Sequence, residues 1–226
     1  MTIMTIICAI ITYLMKYFLE YTKLVNTIFI ISVFVCYLVV VISVYSSVGF
    51  DDWNFQNTLP TANVSPFMFS TVVVLLFLPK TIKKYYLLLI SLLSVGMFLS
   101  PTFNCIYNYQ RDYRFIPTFL FDYLAHYLLF LFGIYIIRSH QVDLNIKNAI
   151  YGGLIVVCYA VLMMILNVIF DTSFFGLSLN GKHNIYNNVL VSNSYLSALL
   201  YFTGLIGVMA LGYLFMLLFN KDKKIS

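Results

Sequence analysis

Long runs without one charged side chain recur along this chain. Leu24 to Phe50 holds none over 27 residues, and Trp53–Pro79, Tyr85–Gln110, Asn148–Phe170 and Tyr195–Phe219 hold none either. Phe115–Ile137 is interrupted only by Asp122 and His126. A helix needs about 20 predominantly apolar residues to cross a bilayer, and each run is that long. Pro60 and Pro66 move the start of the second helix into its run, and Pro101 marks the far end of the third. The runs therefore predict six helices, at about 25–48, 62–79, 85–103, 116–137, 148–170 and 195–219.

Composition supports lipid as the solvent. Of 226 residues, 62% are hydrophobic, 18% aromatic and only 9% charged. Roughly a quarter of an average soluble domain is charged, so a water-exposed surface of this size has too little charge to cover it. A disordered chain is excluded by the abundance of aromatics. The expected fold class is all-α, a polytopic membrane helix bundle forming one integral membrane domain over 1–226. Residues 1–19 are ambiguous. Met1–Met15 is apolar but short before Lys16 and Glu20, and it lacks the basic start of a signal peptide. It reads as an interfacial or re-entrant helix, or as a short seventh span.

The net charge of +5 would suggest nucleic acid in a soluble protein. Here the basic residues sit in short loops, where they report topology, and no nucleic acid partner is expected. With both termini on one side, that side carries Lys16, Lys23, Lys80, Lys83, Lys84, Arg138, Lys147, Lys221, Lys223 and Lys224. The other side carries Arg111, Arg114 and Lys182. Ten against three places the N- and C-termini in the cytoplasm of a cell membrane, with the longer loops outside. The four cysteines, Cys8, Cys36, Cys105 and Cys158, form no CxxC and no zinc spacing.

His126 falls at the middle of the fourth predicted span. Ionisable groups at that depth are costly and usually face a bundle interior or a watery cavity. Asp122 is one turn earlier, about 6 Å toward the outer surface at 1.5 Å per residue. The i, i+4 spacing puts both on one helix face, so the Asp122 carboxylate is expected to accept a hydrogen bond from the ring and make the other nitrogen the more basic one. Asn63 and Asn167 are further polar residues within predicted spans, and each is expected to line the same cavity. Asp171 and His183 lie at the outer end, with Asn180-Gly181-Lys182-His183-Asn184 reading as a polar turn. These four are the candidate ligand-binding residues, beside His126 and Asp122 as candidate catalytic groups. No metal site and no cofactor are expected. GxSxG, Walker, GxGxxG and HExxH motifs are absent from the sequence. Gly204, Gly207 and Gly212 lack GxxxG spacing.

Leu59-Pro60 opens the second predicted span, with Ser65 and Phe67 following, then a short Lys-bearing loop, a third span and Ser100-Pro101. The fourth span carries His126 at its middle, behind Phe115 and Pro117. These stretches resemble the YwaF-type family of bacterial integral membrane proteins, which is similar to eukaryotic multi-span proteins with acyl-chain transferase activity on ether phospholipids. The resemblance runs from about 25 to 219 and implies a thiol nucleophile and a histidine base. In the family's pattern the second span opens Leu-Pro, any residue, His, any residue, Cys. This chain has Ala62 at the His position and Val64 at the Cys position, and keeps the base as His126. Valine cannot be acylated, so the implied mechanism loses its first step.

Three readings of function follow. One is a membrane protein that binds a lipid or small ligand in a bundle cavity around His126, with membrane lipid and a small molecule as its partners. The second translocates protons or a solute through Asp122 and His126. The third is a lipid acyl-chain transferase with His126 as base.

Overall fold

The computed structural model describes residues 2–48, 75–107, 116–170 and 194–220. All regular structure among them is helical. Helix α1 spans Thr2–Leu14 and runs into a 3-10 turn, η1, Met15–Phe18. Then come α2, Thr22–Val48; α3, Lys80–Tyr107; α4, Ile116–Arg138; α5, Ile146–Phe170; and α6, Ser194–Leu217. Each of α2 to α6 contains a stretch long and apolar enough to cross a membrane, and α1 does not. The protein is a multi-pass membrane helix bundle. The predicted span 62–79 lies outside the described residues except for 75–79, a turn leading into α3.

Local chemistry sets the helix ends. Helix α3 starts at Lys80 rather than 85 because Lys83 and Lys84 can extend their ammonium groups to water from a first turn. The Pro79 carbonyl accepts from the Ile82 and Lys83 N–H groups at 3.1 and 2.9 Å. At the other end α3 continues through Pro101 to Tyr107, so Pro101 does not end it. A proline removes one backbone bond, and membrane helices tolerate that where neighbours satisfy the freed carbonyl. Pro117, in the first turn of α4, has no N–H to leave unpaired. Asn145 caps α5 by accepting the Asn148 N–H at 2.8 Å on its side-chain oxygen.

Helices α3 and α4 form the central pair. Helix α2 packs on α4, α1 touches α4 more slightly, and α5 and α6 pack on α3. Of the apolar spanning windows, 67% of the α4 residues are buried against 17% of those in α2. Lipid tails are as apolar as leucine, so helices in a bilayer associate through close packing at small residues. A Cβ on Gly133 would stand 2.6 Å from Ser94 Cβ and 3.2 Å from Ser91 Cα, which brings the α3 and α4 backbones together at these three residues. A Cβ on Gly212 would stand 1.8 Å from the Leu92 carbonyl oxygen, so α6 crosses α3 backbone to backbone. Gly207, five residues earlier, has nothing within 4 Å. The Ser91 and Ser94 hydroxyls are buried and donate to Leu87 O at 3.0 Å and Ser91 O at 2.7 Å, so neither exposes an unpaired polar group at the crossing.

Pairings along the helices fix their directions. Phe29 stacks on Phe132 at 5.2 Å and Asn26 bonds to Gln141, so α2 and α4 are antiparallel. Ser91 meets Gly133 while Phe98 meets Tyr127, so α3 and α4 are antiparallel too. Leu92 meets Gly212 and Gly96 meets Val208, which sets α6 against α3. Tyr85 meets Tyr151 at 6.0 Å. The starts of α2, α3 and α5 and the ends of α4 and α6 therefore share one end of the bundle. Lys16, Lys23, Lys80, Lys83, Lys84, Arg138 and Lys147 gather there with Glu20 and Asp143, and at the opposite end the only described charged residue is Asp122. Because α2 and α3 start at the same end, Val48 and Pro79 stand at opposite ends of the bundle.

Candidate polar site on the central helix

Helix α4 has two unlike halves. From Leu129 to Ile137 every residue is buried. From Leu120 to Leu124 none is, and the Asp122 side chain is 36% exposed. His126 sits between them, ten residues from Ile116 and twelve from Arg138, and is 3% exposed. Next to it in the sequence, Tyr127 meets Phe98 of α3 edge-on at 5.7 Å, and Phe130 meets the same ring at 4.7 Å.

The expected partner of the ring is corrected in one respect. His126 Nδ1 bonds to the backbone carbonyl of Asp122 at 2.7 Å, while the Asp122 carboxylate oxygen stands at 3.5 Å. The helix itself explains this. The carbonyl at i−4 points along the axis at the ring, while the carboxylate, one turn away on the same face, remains 36% exposed. A backbone carbonyl can only accept, so Nδ1 carries the hydrogen and the lone pair of the neutral ring is on Nε2. The Asp122 carboxylate at 3.5 Å would steady a positive charge on the imidazole. The arrangement suits a hydrogen-bond acceptor or base, in a setting where little water competes.

Asn167 is also buried, at 2% exposure. It lies on α5, which packs on α3 and, more slightly, on α6; α5 and α4 are not a packed pair. Asn63, Asp171 and His183 lie outside the described residues, as do Ala62 and Val64. No group of three or more metal-ligating side chains gathers among the described residues.

A second polar cluster at the Lys-rich end was not anticipated. Asn26 donates to the Gln141 side-chain oxygen at 2.6 Å and accepts from its amide nitrogen at 3.1 Å. Gln141 also donates to Ser139 Oγ at 2.8 Å, and that hydroxyl donates to Tyr135 O at 2.6 Å. The Tyr135 hydroxyl donates to Phe18 O at 2.9 Å, and Arg138 Nη1 donates to Thr12 O. His140 makes the turn possible. With φ at 54° it takes the left-handed conformation after α4, its N–H reaching Ile137 O and the Gln141 N–H reaching Ile136 O, both at 3.1 Å. The sequence signal was faint: one asparagine near the start of a span and a Ser-His-Gln turn 115 residues away.

No protein-family model matches the chain, and no curated protein and no solved structure matches it.

Proposed function

We propose that this membrane protein binds a lipid or small ligand entering from the Asp122 end of the bundle, with His126 as the polar anchor at the bottom of the site and Asp122 at its mouth. The observation that carries this is the asymmetry of α4: a buried histidine one turn beyond a half-exposed carboxylate, backed by a fully buried apolar stretch from Leu129 to Ile137. Ionisable residues at membrane depth mark functional sites. The same stretch weighs against translocation, because a proton or solute passing His126 would meet nine residues of packed, largely apolar helix, about 13 Å long at 1.5 Å per residue. Acyl transfer through His126 as base, the chemistry implied by the resemblance to the YwaF-type family, needs a nucleophile that Val64 does not supply. The Lys-rich end is proposed to face the cytoplasm, as the basic-residue bias requires.

The test is the set of small molecules and lipids that stay with the protein through purification in mild detergent, identified by mass spectrometry. The intact protein is expected to retain a defined phospholipid or polar solute that His126→Ala loses, with both proteins inserted equally. The same bound set in both overturns the site, and failure of His126→Ala to accumulate in the membrane assigns His126 a packing role. A small polar solute bound equally by protein labelled from either side of the membrane would favour translocation. In a cysteine-free background, Cys placed at His183 should react with an impermeant thiol reagent from outside, and Cys placed at His140 only after permeabilisation.

A further inference from the structure

From Thr5 to Leu19 the N-terminal segment is covered on one narrow stripe only. Cys8 and Met15 are buried, Thr12 and Leu19 are half-buried, and their spacing of four, three and four residues is one helix face. The remaining surface is apolar and open, with Ile6, Ile10, Tyr13, Leu14 and Tyr17 all exposed. Such a surface cannot rest in water, and 13 residues rise about 20 Å, too short for a hydrocarbon core of about 30 Å. Helix α1 touches the central pair through α4. Its polar ties, Arg138 to Thr12 O and Tyr135 to Phe18 O, both lie at the Lys-rich end of α4.

The charged side chain on this segment is arranged for an interface. Lys16 Nζ lies over the Tyr13 ring at 4.1 Å and the Tyr17 ring at 4.9 Å, with all three side chains exposed. Hydrogen bonding with Tyr13 and Tyr17 holds the lysine above its ordinary pKa, so it stays charged. Across the bundle the same end repeats the pairing, with Lys84 Nζ 4.9 Å from the Tyr85 ring and Tyr85 against Tyr151. Lysine and tyrosine together are the residues of the headgroup layer. Seven basic and two acidic described residues make this end positive, which complements anionic phosphate headgroups.

We infer that α1 and η1 form an in-plane anchor: they lie in one leaflet at the Lys-rich end, apolar flanks among the upper acyl chains and Lys16 among anionic phospholipid headgroups, held to the bundle by Tyr135 and Arg138. This does not depend on what His126 binds. An in-plane helix gains from apolar area and from anionic lipid together, and both contributions are present.

The experiment uses the full chain with its single tryptophan removed, Trp53→Phe, and a reporter introduced by Ile10→Trp, in vesicles of phosphatidylcholine with phosphatidylglycerol. Lipids brominated near the headgroup, in the upper acyl chain or at the chain end are compared as quenchers. The upper-chain bromines are expected to quench the reporter best, while Cys158→Trp, at the exposed midpoint of α5, is quenched best by chain-end bromines. Strongest quenching of the Ile10→Trp reporter by chain-end bromines would make α1 a span. No quenching by any brominated lipid would mean that water, a second copy or another protein covers it; either result overturns the inference. Leu14→Trp repeats the measurement should Ile10→Trp not fold. Adding Lys16→Glu should roughly halve the upper-chain quenching in anionic vesicles, because each basic residue at the surface contributes to the attraction, and should leave it unchanged in phosphatidylcholine alone. An equal effect in both vesicles would overturn the role given to the anionic headgroup.

Discussion

The two halves of α4 lie on one helix and differ in almost everything around them. Toward Arg138, Phe29, Phe98 and the α3 serines close on the helix, the serines at Gly133, and its end is tied by Arg138 to α1, by Tyr135 to η1 and by Gln141 to α2. Toward Asp122 the side chains are half-buried or exposed, and the ring bonds to the Asp122 carbonyl with the carboxylate 3.5 Å away. A closed half gives rigidity, and an open half gives access. The proposed site lies at their junction, with His126 held by the Asp122 carbonyl on one side and half-buried or exposed side chains on the other.

The contrast can be broken from either half. The largest effect is expected from Phe132→Ala, which empties a fully buried position and should cost about 3 kcal/mol or more. Leu124→Ala, in the open half, should change the unfolding free energy measured by denaturant in mixed micelles by less than about 0.5 kcal/mol; equal losses would dissolve the distinction. Gly133→Ala comes next. Its Cβ meets Ser94 and Ser91, so overpacking should cost about 1–3 kcal/mol, and Ser94→Gly should recover part of the loss in a double-mutant cycle. Additive losses would mean that the crossing lies elsewhere. Tyr135→Phe removes one hydrogen bond to η1 and should cost about 1 kcal/mol, visible as faster proteolysis before residue 22. Unchanged protection would show the tie to be idle. The smallest expected effect is a gain. His140→Gly relieves a left-handed residue and should raise stability by about 0.5–1 kcal/mol, and a loss would assign the imidazole a contact of its own.

Four of the five described spans were legible to within a few residues, because absence of charge over about 20 residues has one meaning in a protein. Helix α3 was cut short at both ends in that reading. Lysines look like boundaries although their stems belong to the helix, and Pro101 looks like a terminus although lipid surroundings favour keeping the helix around it. The pair of Asp122 and His126 was legible from spacing alone. Which Asp122 oxygen the ring would take was not, because backbone and side chain offer acceptors on the same face.

Sequence by itself determined that this chain lives in a membrane, where four of its described helices run and that one histidine falls midway along an apolar span, since each follows from the local cost of charge in hydrocarbon. Only the tertiary structure decided which glycine matters. Gly207 and Gly212 share a helix and a residue type, yet one faces open space and the other the Leu92 carbonyl. It also decided that Asn26 would find Gln141 and that α4 would be closed on one side of His126 and open on the other. Those outcomes depend on which helix faces meet, and between helices in lipid that choice is made by steric fit and hydrogen-bond pairing across segments far apart in the chain.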